Sequence, residues 1–352
     1  MKTTLLIITL LAFIGLDANA QWQQTSTPPG GSIWSIAVIG TNIFVGTTND
    51  GVYYSPDEGA TWVQRNGSSP ITEVLSLVAN GSDLYAGTKG GFMSGTSGIY
   101  KSTDYGLTWS DVTPSGIQSG TYFSALVING SDIFAGCGGL GNVPIYKSPL
   151  SGINAASWTP YNTGFSNSLI RSLASSGANI LAGTYGDGVW ISAANNANWS
   201  STSGMSTNAD YIHSLSVSGS NVFAGNISGA TPVLYRSTDN GLTWTPSSTS
   251  VFAGKPVYAI IHDGNTIYAG TELAGVMLST DNGATWTAYN NGLITIGSLS
   301  IRCFGIIGNK LLAGTDYGVW KSDISTGIME ADEPLGVSIY PNPASEIGRA
   351  HV

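Results

Sequence analysis

Charge is scarce in this chain. Only 9% of its 352 residues are Asp, Glu, Lys or Arg, and 21 acids against 12 bases leave a formal charge of −9. Neither a nucleic acid nor an anionic membrane surface is drawn to such a field, so neither is an expected partner. Histidine is scarcer still, with His213, His262 and His351 alone. His351 falls in the last seven residues and His262 stands just before a hairpin turn, so no metal triad assembles and no metal or cofactor is expected. No Ser-His-Asp order, phosphate loop or Cys-x-x-Cys occurs. Helical periodicity appears nowhere after residue 20, which leaves an all-β chain.

Glycine, by contrast, is abundant at 47 residues, and much of it is periodic. The octet Ser-x-Asp-x-Gly-x-Thr-Trp occurs four times: Ser55 to Trp62, Ser102 to Trp109, Ser237 to Trp244 and Ser279 to Trp286. A tight corner needs a residue free to take positive φ, supplied by Gly59, Gly106, Gly241 and Gly283, and short side chains that bond the turn's own amides. Asp57, Asp104, Asp239 and Asp281 are placed for that structural task. A second signature, two apolar residues then Ala/Val-Gly, ends at Gly46, Gly87, Gly136, Gly183, Gly225, Gly270 and Gly314, spaced 41 to 49 residues apart. Each closes a 13-residue register, such as Trp34 to Gly46, that contains a hairpin turn like Asn80-Gly81-Ser82-Asp83. Seven repeats result.

Tryptophans give an independent count. Trp62, Trp109, Trp158, Trp199, Trp244 and Trp286 end six intact or decayed boxes, and the seventh repeat lacks one. Trp22 is the seventh. The N-terminal strand is therefore predicted to complete the last unit by pairing Gln21 to Thr25 with Val319 to Ser322, closing the ring. Cys137 and Cys303 fall on different sides of that ring, farther apart than the ~7 Å a disulfide allows, and read as small core residues.

The octets resemble the Asp-box, or BNR repeat, of sialidases, sortilin-type receptors, xyloglucan-cleaving propellers and the photosystem II assembly factor. That resemblance implies a seven-bladed β-propeller over residues 21–328 with the boxes away from the functional face. Sialidase chemistry does not carry over, because the arginines before the tail are Arg65, Arg171, Arg236 and Arg302 and no Arg-Ile-Pro occurs. Residues 1–20 read as a signal peptide: Lys2, an apolar run from Leu5 to Leu16 too short for a membrane span, then Ala18-Asn19-Ala20. After an acidic linker, 329–336, the stretch 337–345 contains Tyr340-Pro341-Asn342-Pro343 and resembles the opening of the C-terminal sorting domain of type IX secretion in Bacteroidota, here truncated. Residues 346–352 read as a non-native, adapter-derived tail. Secretion or outer-membrane surface display by type IX machinery is the expectation, as a monomer.

Variation is confined to one face. From repeat Gly to box Ser the spacing runs from 8 to 15 residues, whereas the opposite face is built from turns of constant length. Loops on a rigid scaffold carry function. At that face each register opens on an unlike residue: Trp34, Leu75, Ser124, Arg171, His213, Tyr258 and Arg302. The next two columns are uniformly small and uniformly bulky, as packing requires, so the ring alone is free for a ligand. Trp34, Arg171, His213, Tyr258 and Arg302, with Tyr185 and Tyr317 nearby, suit an anionic or sugar ligand, a guanidinium forking onto a carboxylate. Glu73, Asp187, Glu272 and Asp316 are candidates for catalytic carboxylates, which a glycoside hydrolase needs in a pair ~5 to 9.5 Å apart. No pairing signal is present. Non-catalytic binding of a glycan or extracellular protein is the leading expectation, with a glycoside hydrolase or lyase and a structural or adhesive module as alternatives.

Overall fold

Short apolar runs, punctuated by Gly and Asn-Gly turns, fold into strands that are buried almost along their whole length. The computed structural model describes residues 21–324 apart from 29, 91–96, 140–142, 166–168, 206–209, 230–231 and 248–249. The leader, residues 325–328, the linker, the sorting-domain segment and the tail lie outside the described residues. Among those described, the helical content is two three-residue 3-10 turns, and no helix is long and apolar enough to cross a membrane.

Among the described residues the strands form five four-stranded antiparallel sheets and one eight-stranded sheet made of two further four-stranded units, the fourth and fifth. In the first, Ile33–Ile39, Asn42–Thr47, Val52–Ser55 and Val63–Gln64 follow one another from the innermost position outward. The innermost strands of the others are Glu73–Asn80, Thr121–Asn129, Ile170–Ser176, Asp210–Ser218, Val257–Asp263 and Ile301–Ile307. Each packs on the next and the seventh packs on the first, which makes the molecule a closed propeller. Closure comes from the N-terminus as the sequence predicts: Trp22, Gln23 and Gln24 pair with Ser322, Lys321 and Trp320.

The two periodic glycines have different physical causes. A Cβ on Gly46, Gly136 or Gly314 would come within 2.6, 2.5 or 2.7 Å of Val74, Ile170 or Ile33 on the following unit, so this column sets how closely neighbouring sheets approach. The box glycines instead turn a corner. Gly59 has φ 87° and Gly283 φ 81°, each preceded by a second left-handed residue, Glu58 or Asn282. In the first box the Ser55 hydroxyl accepts the Gly59 N–H at 2.8 Å, while Asp57 accepts the Thr61 N–H at 2.8 Å and the Thr61 hydroxyl at 2.6 Å. The Thr hydroxyl and amide bonds hold the Asp239 and Asp281 carboxyls at about 2, well below the ordinary range. Asp57 and Asp104 are lowered for the same reason.

Most box tryptophans tie their unit to the preceding one, Trp244 excepted, whose indole N–H donates to Gly241 of its own box. The indole N–H of Trp109 donates to the Arg65 carbonyl at 2.7 Å, and that of Trp158 to the Val112 carbonyl at 2.6 Å although its box has decayed. Trp22 donates likewise to the Tyr289 carbonyl at 2.7 Å, which gives it the same place in the seventh unit. Cys137 and Cys303 are buried free thiols whose pKa burial pushes up.

Candidate functional site

Each innermost strand is interrupted at one place. Ile33 pairs with Thr47 and Ser35 with Gly46, so Trp34 has no opposite number. The same shift passes over Leu75, Ser124, Arg171, His213, Tyr258 and Arg302 in the other six units. A bulged residue leaves the ladder and its side chain is re-aimed. The residue before it packs on the preceding unit, as Ile170 does on Gly136, and the residue after it belongs to the small column. The seven-fold bulge thus relieves the variable ring of inter-sheet packing.

Six ring residues line one cavity of about 190 Å³: Trp34, Leu75, Ser124, Arg171, His213 and Tyr258. Glu73, Lys89 and Tyr122 complete its wall. Lys89 and Glu73 form an ion pair at 3.2 Å. The Ser124 hydroxyl is spent on the Ile170 carbonyl at 2.5 Å. His213 Nδ1 lies 3.1 Å from the Tyr258 carbonyl, which requires it to carry the proton and donate. Burial above all, with the charges of Arg171 and Arg302 and against that backbone bond, brings the His213 pKa down to about 4. At neutral pH the ring is therefore uncharged imidazole, whose Nε2 is an acceptor.

Arg171 differs from every other cation of the site. Its Nε is buried with no hydrogen-bond partner, its guanidinium lies 5.2 Å over the Tyr185 ring, and no carboxylate bridges it among the described residues. Arg302 lies outside the cavity wall. Its Nε and Nη2 fork onto Asp316 at 2.9 Å each, and its guanidinium stands 4.6 Å over the Tyr258 ring. Burial raises the Asp316 pKa, but the Arg302 bonds outweigh it and hold the carboxyl below its usual range. The fork that the sequence offered to a ligand is thus closed by a neighbour, and Asp316 is ionised and engaged.

The other sequence candidates stand apart from the cavity wall. Tyr185 is exposed and tilted against Tyr211, with ring centroids 4.2 Å apart. Tyr317 is exposed beside Gly297. The Asp187 amide donates to Thr184, and the Glu272 amide to the Pro256 carbonyl. Of the four candidate carboxylates the cavity takes in Glu73 alone. Sequence reasoning passed over Lys89 and Tyr122. Lys89 stands two residues past Gly87 and directly opposite Glu73 in the hairpin, a cross-strand pair that extending the register would have found. Tyr122 precedes Ser124 by two and lies opposite Gly138, in register before the bulge. No group of His, Cys, Asp and Glu able to hold a metal occurs among the described residues.

The BNR/Asp-box repeat model matches residues 235–246. No curated protein matches the sequence significantly. Similar solved structures include YCF48 from Cyanidioschyzon merolae, with TM-score 0.67 at 15% identity over 88% of this chain and 100% of that one. YCF48 bound to D1 peptide follows, with TM-score 0.66 at 14% identity over 88% and 98%. The GH74 xyloglucanase from Xanthomonas campestris gives TM-score 0.65 at 13% identity over 90% of this chain but 55% of its own length. At such identities the likeness speaks for fold, and it agrees with the strands: the chain is an all-β propeller.

Proposed function

We propose that the propeller is a non-catalytic binding module that holds a glycan or protein partner by a carboxylate group seated in the cavity of the bulge ring. The carrying observation is Arg171, a cation that lines the cavity and forms no ion pair among the described residues. A hydrogen bond to a charged group contributes about 1.5 to 3 kcal/mol, so a carboxylate gains on the order of 10- to 100-fold in affinity over its neutral analogue. The aromatic walls from Trp34, Tyr122 and Tyr258 supply apolar faces, and the neutral His213 adds an acceptor rather than a second charge. The YCF48 structure with a bound D1 peptide supports partner binding by a propeller of this shape.

A glycoside hydrolase is the second reading, supported by the GH74 neighbours. Against it, Glu73 is the one carboxylate in the cavity wall and is paired with Lys89. Residues 1–20 and the Tyr340-Pro341-Asn342-Pro343 stretch support display outside the cell through type IX secretion. The test is a panel of acidic and neutral polysaccharides and peptides, scored for retention and for new reducing ends. Retention of carboxylate-bearing ligands without turnover is expected. Release of reducing sugar makes it an enzyme, and retention of nothing leaves a structural module.

A further inference from the structure

Each innermost strand ends, at the far end from its bulge, in a hairpin turn, and two of these turns have the same sequence. Asn-Gly-Ser-Asp stands at Asn80 to Asp83 in the second unit and at Asn129 to Asp132 in the third, closing on an Asn–Asp strand pair in both. In both, glycine takes the positive φ of the corner, 59° at Gly81 and 58° at Gly130. The two asparagines differ. Asn129 Nδ2 donates to the Ser175 hydroxyl and, at 2.9 Å, to the Gly177 carbonyl, both on the fourth unit. Asn80 is exposed, and its side chain makes no hydrogen bond among the described residues. The cause lies in the neighbouring unit. Ser175 stands four residues after the bulged Arg171, and the equivalent place after Ser124 is Ile128, a buried side chain with nothing to offer an amide.

We infer that Asn80 is a modification site, the one of six Asn-Gly pairs that the fold leaves open to spontaneous deamidation. The Gly81 amide nitrogen attacks Asn80 Cγ, an N–C bond forms and ammonia leaves, giving a succinimide ring. Solvent water then opens the ring at either carbonyl, to aspartate or to isoaspartate, with no oxidant or cofactor. The step needs an asparagine free to swing and a next residue that crowds nothing, and a Cβ on Gly81 would meet no atom within 4 Å. The remaining pairs are held. Asn66 accepts the Val52 N–H at 2.8 Å and donates to the Asp50 carbonyl at 2.7 Å. After Asn240 and Asn282, the attacking Gly241 and Gly283 N–H groups are donated to the box serines at 2.9 and 2.8 Å. After Asn291, Gly292 lies against the Trp22 backbone. An aspartate formed at position 80 would stand opposite Asp83, whose carboxylate Lys101 holds at 2.8 Å, and like charges in opposed positions loosen a hairpin.

The experiment holds the purified protein in warm, mildly alkaline buffer and follows each Asn-Gly pair over time by peptide mapping with fragmentation mass spectrometry. Asn80 should convert first, about 5- to 30-fold faster than Asn129, the protection that one or two hydrogen bonds give. Ser175→Ala, which removes one Asn129 bond, should speed conversion at Asn129 by about 5-fold and leave Asn80 unchanged. Asn80→Gln should abolish the early event. In guanidinium chloride the two identical tetrapeptides should convert at the same rate, because only the fold tells them apart. Equal rates at Asn80 and Asn129 in the folded protein, or another pair converting before Asn80, overturn the inference. A difference that persists in denaturant assigns the selectivity to flanking sequence and overturns it as well.

Discussion

Replacing Trp22 by Ala asks whether a three-residue strand holds the ring shut. Trp22 is 1% exposed, packs edge-on against Tyr289 at 5.9 Å and donates its indole N–H to the Tyr289 carbonyl. Truncating a buried Trp to Ala costs about 3 to 5 kcal/mol, and the orphaned carbonyl adds about 1 kcal/mol. For a domain of this size each kcal/mol lowers the melting temperature by roughly 2 °C, so a fall of about 8 to 12 °C is expected. Trp62→Ala is the internal control. Its indole holds the equivalent place but is only half-buried, so its loss should lower the melting temperature by roughly half as much. Thermal unfolding followed by near-ultraviolet circular dichroism reads both variants. Equal shifts, or a Trp22→Ala protein within 2 °C of wild type, would refute the closure argument.

Two further outcomes follow from the same contacts. Asp281→Ala removes the acceptor of the Thr285 amide and hydroxyl and should lower the melting temperature by a few degrees in a thermal scan, with retention on the ligand panel intact, because the box lies away from the bulge ring. Acid should weaken the fold in two stages. Burial lowers the pKa of both His262 and His213 from 6.5 to about 4, so the unfolded chain binds two extra protons. Stability is therefore full above pH ~6.5 and falls by on the order of 2 to 3 kcal/mol for each histidine as pH drops towards 4. The box acids Asp239 and Asp281, lowered from 3.8 to about 2, add a second loss between those values. Melting temperatures from pH 7.5 to 2.5 check both stages, and a flat profile between 6.5 and 4.5 would contradict the first.

The architecture is legible in the sequence because a propeller repeats its constraints. Seven glycines that admit the next sheet, and seven tryptophans of which six bond the previous one through the indole, leave a period that survives even where the box around Trp158 has decayed. The ring of unlike residues is legible as a column, but the bulge that frees it is a backbone event with no residue signature. Pairing is harder to read. Arg302 and Asp316 are 14 residues apart, and only the hairpin register, Ile301 opposite Thr315, brings them side by side. The neutrality of His213 depends on rings and arginines from other units. The joining of the fourth and fifth units was not foreseen either, since Tyr185 and Tyr211 lie in runs like those of every other repeat.

The account turns on Arg171, and the most direct measurement is the affinity of one carboxylate-bearing sugar for the wild type, Arg171→Lys and Arg171→Ala, with the melting temperature of each taken in the same buffer. The account predicts that Arg171→Ala binds galacturonic acid on the order of 10- to 100-fold more weakly than wild type, that Arg171→Lys falls between them because it keeps the charge and loses the fork, and that all three melt within about 2 °C of one another. Equal affinity across the three, or a weakened affinity found only with a collapsed melting temperature, would contradict it.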